Sequence, residues 1–470
     1  MLDDVAFIAS VSEDLAREYR TAKRYVQDVP TQALLHVRSF AHRLTELLAA
    51  PARLSFDSPN LYDRIEQLNR QRLIDVRITR ALHRLRADGN RGAHPEKFHL
   101  TETQLLQLAK KAIGDLLKLM ELAYPKLKGR EAPEYHFDDF DLQAGRELCY
   151  RAVMEDDAEA QYLLGMALKN RALIARGQEQ ALQDKADESL AGDSARMLAK
   201  AAYWFAEAAA SEPKALFEQG VALIHGYSGE IDIAAGQRAI RQAAEAGVTD
   251  AMALMGYFYL VGSGELAKDE TEAERFLSAA AANEQSEAMA NLGVLCYQRG
   301  QLQQAFEHIT RAARAGDPHA QYHLALMLAR GEGCEADPGA SEQWLAEAAE
   351  QGQLDAMLAR AQHMLNDDTA FGSDLSQAER YLRQVIRYGH SVTAMIELAI
   401  ALTDGCLGRI DVVEAVAWLR LARDRADERE LEVIRPLWQS LQQQVESVLR
   451  LSQSAEERRA LKRAQELLAD

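Results

Sequence analysis

The stretch Ala251-Met252-Ala253-Leu254-Met255-Gly256 decides how this chain folds, because variants of it return along the sequence. They begin at Ala160, Ala215, Ala251, Ala288, Ala320, Ala356 and Ala394. From Ala215 onward the spacings are 36, 37, 32, 36 and 38 residues, which is the signature of a stacked helical repeat array. The gap of 55 residues between Ala160 and Ala215 requires an insertion in the first unit, near residues 169–196. Each unit has one plan. An Ala-x-x-x-(Leu/Met)-(Gly/Ala) core lies in a first helix, whose small residues allow another helix to approach closely. A turn follows, glycine-rich in examples such as Gly262-Ser263-Gly264 and Gly331-Glu332-Gly333. An aspartate then precedes the second helix, at Asp269, Asp337, Asp374 or Asp411, where it can accept a free first-turn N–H. The second helix carries a large plug (Trp204, Phe276, Trp344, Tyr381, Trp418) and ends in small residues, often a glycine.

These units resemble Sel-like repeats, relatives of tetratricopeptide (TPR) repeats, over roughly residues 145–425. The resemblance implies a right-handed α-solenoid of TPR-like helix pairs whose concave face holds other proteins. Two units depart from the pattern. The one at Ala288 has only Arg299-Gly300 in place of the Gly-x-Gly turn, and the one at Ala356 has Arg360 where Leu is usual.

Composition is that of an ordinary soluble protein, and a net charge of −18 argues against coating nucleic acid along the whole chain. The four cysteines, Cys149, Cys296, Cys334 and Cys406, are widely separated and form no metal-ligand pattern, which suits a reduced compartment. No apolar run approaches the roughly 18 residues of a membrane span, and Met1-Leu2-Asp3-Asp4 lacks the layout of a signal peptide. A cytoplasmic, bacterial protein with no membrane association and no cofactor is the expectation.

Residues 1–125 do not repeat and read as helices. Apolar positions from Leu34 to Leu48 follow helical spacing, with a start at Pro30-Thr31 and a stop at Pro51. A second helical region spans Leu61 to Leu85, after which Ala87-Asp88-Gly89-Asn90 is expected to break the pattern. A last helix runs from Thr101 to Tyr124, with Thr101 and Gln104 forming a capping box. Residues 126–145 read as a linker, 146–425 as about seven repeat units, and 426–470 as a helical cap over the last apolar face. The expected class is all-α: an N-terminal helical bundle followed by the solenoid.

The run Leu82-His83-Arg84-Leu85-Arg86-Ala87-Asp88-Gly89-Asn90-Arg91-Gly92-Ala93-His94 resembles the signature of a HEPN-related domain found near the ends of type I restriction motor subunits. That likeness implies a helical domain that pairs with a second copy. In active HEPN ribonucleases it implies an Arg and a His with four to six residues between them. Here Arg86 and His94 have seven between them, with Asn90 as a polar neighbour, so Arg86, Asn90 and His94 form the candidate catalytic set. The same region carries arginines at seven-residue steps, Arg70, Arg77, Arg84 and Arg91, which could share a helix face and track phosphates. Residues 1–125 sum to +3 and the remainder to −21, so this basic face could equally dock the acidic repeats or stand in solvent.

In the repeats, Tyr162, Phe217 and Tyr322 lie two residues after their anchor alanines, and with Tyr257 and Tyr297 they could line a protein-binding groove. Inter-repeat packing is the competing role for each of them. His319 and His323 sit four apart, a spacing that can hold metal, but no third ligand lies nearby and surface positions are expected. The Gly-x-Gly turns follow helices and not strands, so they carry no dinucleotide reading. The leading function is an intracellular interaction scaffold or adaptor that binds a protein partner. The alternative is a HEPN-type ribonuclease or nucleic-acid-binding protein of phage defence, with the solenoid as sensor.

The Arg86–His94 spacing generates a prediction: the full chain does not cleave RNA. A cationic group displaced by ~1 Å loses much of its transition-state benefit. Mixed single-stranded RNA incubated with the protein in the absence of metal should stay intact. Cleavage abolished by His94→Ala and by Arg86→Ala in folded protein would show the opposite.

Overall fold

The computed structural model describes residues 2–58, 60–93, 101–140, 144–181, 188–283, 285–366, 374–451 and 454–469. His94 lies outside them. The chain divides into two compact units, residues 1–320 and 321–470.

The first unit opens with a block of six helices: α1 (Asp4–Ala9), α2 (Glu13–Tyr25), α3 (Pro30–Ala49), α4 (Leu61–Arg70), α5 (Val76–Ala93) and α6 (Glu102–Lys128). Pro30 occupies the first turn of α3, where a missing N–H costs nothing. The capping box at α6 forms, with Thr101 Oγ1 accepting from Gln104 N–H and Gln104 Oε1 accepting from Thr101 N–H. Phe7, Leu34, Phe40, Leu44, Ile78, Leu82, Ile113 and Leu116 are fully buried in one core. Asp4 is buried with them, and its Oδ2 accepts from Tyr19 Oη and Lys23 Nζ, both at 2.6 Å. A buried carboxylate is tolerable only with such partners. Burial and this carboxylate push the Tyr19 hydroxyl well above its usual pKa.

Two expectations for this block need correction. The stretch from Leu61 to Leu85 is two helices, parted where Arg72 adopts φ +57°. Ala87-Asp88-Gly89-Asn90 does not break a helix, since α5 runs through to Ala93. Gly89 and Gly92 serve its packing against α3: a Cβ on them would come within 2.6 Å of Arg38 Cβ and 2.3 Å of Leu34 Cβ. Close helix contact outweighs the intrinsic helix penalty of glycine, about 1 kcal/mol. The expected linker also carries structure, because β2 (Tyr135–His136) pairs in parallel with β1 (Leu2–Asp3) and Tyr135 stacks on Phe7 at 4.4 Å.

After α7 (Ala144–Met154) the helices come in pairs. The first unit holds α8 (Ala158–Ala181) with α9 (Glu188–Ala208), α10 (Pro213–His225) with α11 (Ile233–Glu245), α12 (Thr249–Val261) with α13 (Glu270–Ala282), and α14 (Ser286–Gln298) with α15 (Leu302–Ala315). The unit boundary falls within α16 (Pro318–Arg330). The second unit continues with α17 (Pro338–Glu350), α18 (Leu354–Leu365) with α19 (Leu375–Gly389), and α20 (Val392–Asp404) with α21 (Val412–Arg425), and ends with α22 (Glu428–Leu451) and α23 (Ala455–Ala469). The fold is an all-α helical repeat. The insertion near residues 169–196 lengthens α8 and α9 to 24 and 21 residues, against 13 for each helix of the next pair.

All seven anchor alanines are 0 % exposed. Five residues after four of them stands a glycine, and a Cβ on Gly256 would lie 2.6 Å from Leu277 Cγ of the paired helix. Gly165, Gly220 and Gly293 meet Phe205, Ile240 and Ile309 in the same way. Asp269, Asp337, Asp374 and Asp411 each accept first-turn N–H groups of their second helices. The Ala288 unit has no such cap, as Gln301 makes no side-chain bond at the start of α15. Arg360, the departure in the Ala356 unit, is buried, and its Nη1 donates to Glu342 Oε1 at 2.6 Å. At the end of the chain Ile434, Leu441, Val445, Leu461, Ala464 and Leu468 are buried in one cluster with Val416 and Leu419 of α21.

In the second unit Glu379 links neighbouring turns, accepting from Arg409 at 2.6 and 2.8 Å and from Arg383 at 2.8 and 2.9 Å. The Arg409 hydrogen bonds lead in holding its carboxyl down, from the ordinary 4.5 to about 2. A depressed folded-state pKa contributes stability that is present above the unfolded value and lost as pH falls through the folded one. Arg409→Ala should therefore lower the urea midpoint of the second unit at pH 7. The difference from the parent protein should shrink between about pH 4.5 and 2. A difference independent of pH would rule this linkage out.

Candidate protein-binding face

The first helices of the pairs repeat one pattern of positions. Positions two, six and nine residues after the anchor alanine fall on one side of a helix. Tyr162, Phe217 and Tyr322 hold the first of these positions, Tyr257 the second and Tyr297 the third. Tyr162, Phe217, Tyr257 and Tyr297 lie on α8, α10, α12 and α14 of the first unit, and Tyr322 lies on α16 within the second. Tyr257 and Tyr297 are each 44 % exposed. Tyr162, Phe217 and Tyr322 are half-buried. Tyr162 packs on Phe205, with ring centroids 6.4 Å apart, and Phe217 packs on the cluster around Ile240 and Met255. By contrast Phe205 and Phe276, on the second helices, are 0 % and 6 % exposed.

Carboxylates stand near Tyr162 in the first unit. Burial, and then the carboxylates of Glu218, Asp250 and Glu212, raise the Tyr162 hydroxyl above its usual pKa. Those three groups come from α10, from α12 and from the residue that caps α10. Glu218 is buried and accepts from Lys169 Nζ of α8 at 2.6 Å, a charge-assisted bond between successive first helices. In the second unit an amide takes the donor's part between successive first helices, as Gln362 Nε2 of α18 donates to Glu397 Oε1 of α20 at 2.9 Å.

The residues singled out in the N-terminal block are placed otherwise. Arg86 and Asn90 are buried, 7 % and 6 % exposed. Arg86 Nη1 donates to Arg314 O at 3.2 Å and Asn90 Nδ2 to Ala315 O at 3.0 Å, both at the end of α15. Arg77, Arg84 and Arg91 do share α5, but Arg70 closes the separate helix α4. Aspartates interleave with them: Arg77 lies 4.0 Å from Asp75, Arg84 3.7 Å from Asp115 and Arg91 3.2 Å from Asp88. Burial raises the Asp88 carboxyl, and the Arg91 charge opposes that rise. His319 and His323 are exposed, and among the described residues no group of three or more His, Cys, Asp or Glu is arranged to hold a metal ion. Among the same residues no helix is long and apolar enough to cross a membrane.

Sequence reasoning missed the glutamine and serine caps of the first helices. Gln285, Gln353 and Ser391 each accept a backbone N–H from the anchor alanine three residues on. A polar residue three before each anchor except Ala251, which has Val248 there, was the available signal.

The Sel1 repeat model matches residues 158–183, 249–284, 286–317, 318–353 and 392–427. The pairs α10–α11 and α18–α19 fall between these segments and have the same helix plan. A model described as a domain of unknown function (DUF4145) matches residues 20–128. Among solved structures the chain is similar to a Sel1 repeat protein from Oxalobacter formigenes, at 24 % identity and a TM-score of 0.44, covering 49 % of this chain and 95 % of that one. It is also similar to c5321, a protective antigen of uropathogenic Escherichia coli with an SLR fold, at 22 % identity and a TM-score of 0.43, covering 77 % and 71 %. Yeast Tom70 aligns over 97 % of this chain and 96 % of its own at 14 % identity, with a TM-score of 0.35. Comparison with curated proteins gives no match.

The exposure contrast makes a prediction. Tyr257→Ala with Tyr297→Ala should lower stability by less than about 1 kcal/mol, as exposed substitutions do. Phe205→Ala should cost about 3–5 kcal/mol. Urea denaturation compares them, and equal losses would assign the tyrosines to packing.

Proposed function

We propose, from an array of Sel1 repeats whose first helices turn half-exposed tyrosines outward, that this chain is a protein-interaction scaffold. The observation that carries the reading is the pair Tyr257 and Tyr297, each 44 % exposed on the same face of successive first helices. Large aromatic side chains with a polar tip are favoured anchors in protein interfaces. The carboxylates Glu212 and Asp250 near Tyr162, and the −21 charge of residues 126–470, select the partner's chemistry. It is a basic segment with apolar side chains that fill the spaces between the aromatic rings. Electrostatic complementarity of this kind sets association rate and specificity more than affinity. The HEPN-type nuclease is the weaker reading, because Arg86 and Asn90 are already engaged with main-chain carbonyls of α15 and aspartates pair the arginines of α5.

The test uses the full chain as bait against a library of basic, apolar-containing peptides, with a Tyr257→Ala/Tyr297→Ala bait alongside. Binding should fall at least tenfold in the double variant and weaken as salt rises from 50 to 300 mM, roughly as screening shortens the Debye length. Peptides that bind both baits equally would reject this face.

A further inference from the structure

Among the described residues the N-terminal block touches the repeats of its own unit at two places of opposite character. The first, at α8, is apolar at its centre. Ile174 is buried within the block's core, and Val29 lies in one cluster with Leu148, Ala160 and Leu163. Asn170 Nδ2 donates to Thr31 Oγ1 and Arg171 Nε to Glu102 Oε1, both at 2.8 Å, around that centre.

The second contact lies three helix pairs further along, at the end of α15, and it is polar. Arg86 Nη1 donates to Arg314 O at 3.2 Å, and Asn90 Nδ2 donates to Ala315 O at 3.0 Å. These carbonyls belong to the last turn of α15, where no intrahelical N–H reaches them and the helix dipole is negative. A guanidinium and an amide N–H match that end chemically. Arg314 Nη1 in turn lies 3.5 Å from Asp63 Oδ1 of α4. The Arg86 guanidinium sits over the Tyr62 ring, 5.2 Å from its centroid. Gly316 closes α15 at φ +96°, and a Cβ there would fall 1.9 Å from Asn90 Nδ2, so Asn90 occupies the space a side chain would take. Ala315 and Gly316 are buried, whereas Ala246 and Gly247 after α11, and Ala282 and Asn283 at the end of α13, are exposed.

We infer that α4 and α5 form an intramolecular latch on the C-terminal end of α15. Water can replace polar contacts at a helix end, but it cannot replace the apolar contact at α8. Among the described residues Asn90 Oδ1 is moreover buried without a hydrogen-bond partner in the closed state, which favours opening at this end. The α8 contact is therefore the hinge and the α15 contact the releasable end. The closed latch fixes the spread of α10, α12 and α14, which carry Phe217, Tyr257 and Tyr297. Only this last consequence, for binding, rests on the proposed binding face.

The test compares the full chain with Arg86→Ala/Asn90→Ala and with Asn90→Asp. The second variant keeps the shape of the side chain but cannot donate to Ala315 O. Hydrogen–deuterium exchange and small-angle scattering are measured on each. Both variants should exchange at least tenfold faster at residues 312–317, with a larger radius of gyration, and keep parental exchange in α1 to α3. Parental exchange at residues 312–317 with unchanged scattering would overturn the latch. So would faster exchange spread through α1 to α3, which would make the contact part of the block's own fold. If the double variant loses helicity by circular dichroism, Asn90→Asp decides between the same outcomes. Neither readout needs a binding partner, so failure here leaves the binding face standing.

Discussion

Everything in the repeats depends on how closely two helices can approach at the anchor alanine. Seven alanines, at the same place in seven first helices, are wholly removed from solvent. Five residues on, glycine or alanine again leaves room, and the paired helix fills it with Phe205, Ile240, Leu277 or Ile309. At van der Waals contact a single added methyl group has nowhere to go. The turn and the second-helix cap follow from that constraint, because a pair held this closely needs a short connection and a satisfied first turn. Where one element is missing, the neighbourhood compensates. Arg360 enters a position meant for leucine, and Glu342 meets it with a buried carboxylate. An uncompensated charge there would be far more costly than the pair.

The N-terminal block uses the same device with different partners. Gly89 and Gly92 bring α5 against α3, as the repeat glycines bring first helices against second ones. The packing turns another edge of α5, that of Arg86 and Asn90, toward the end of α15. The contrast between a +3 block and a −21 remainder is not what joins them, since in the ion pairs Arg171–Glu102 and Arg314–Asp63 the acid stands on the block. Two of the block's arginines are nevertheless engaged beyond it, Arg86 on the Arg314 carbonyl of α15 and Arg24 on Glu147 of α7. The arginines left on α5 stand among aspartates, which lowers the potential a phosphate chain would meet.

The proposed binding face differs from the core in exposure and not in residue type. Tyrosine serves both: Tyr381 is a buried plug in α19, and Tyr257 stands half in water on α12. The carboxylates around Tyr162 come from helices far apart in sequence, so their field is a product of stacking. In a repeat array each first helix adds one row to a common surface, and recognition then sums over rows.

The sequence by itself determined the all-α repeat class, the starts of second helices at the capping aspartates and the capping box at Thr101. All of these are local or periodic: a cap acts over three residues, and a repeat announces itself by return. It misread Ala87-Asp88-Gly89-Asn90 as a break, since glycine in isolation disfavours a helix and only the contact with Leu34 and Arg38 shows why it is used. It also offered Arg70 as part of one arginine stripe, and a left-handed residue at Arg72 moved it to another helix. The candidate tyrosines were legible as a spacing, but which of them reach solvent was not. Exposure depends on the neighbouring pair, and the grip of Arg86 and Asn90 on α15 joins residues more than 220 positions apart. No pattern within a window reports such a contact, because it exists only after the helix pairs have stacked and brought the end of α15 back to the block.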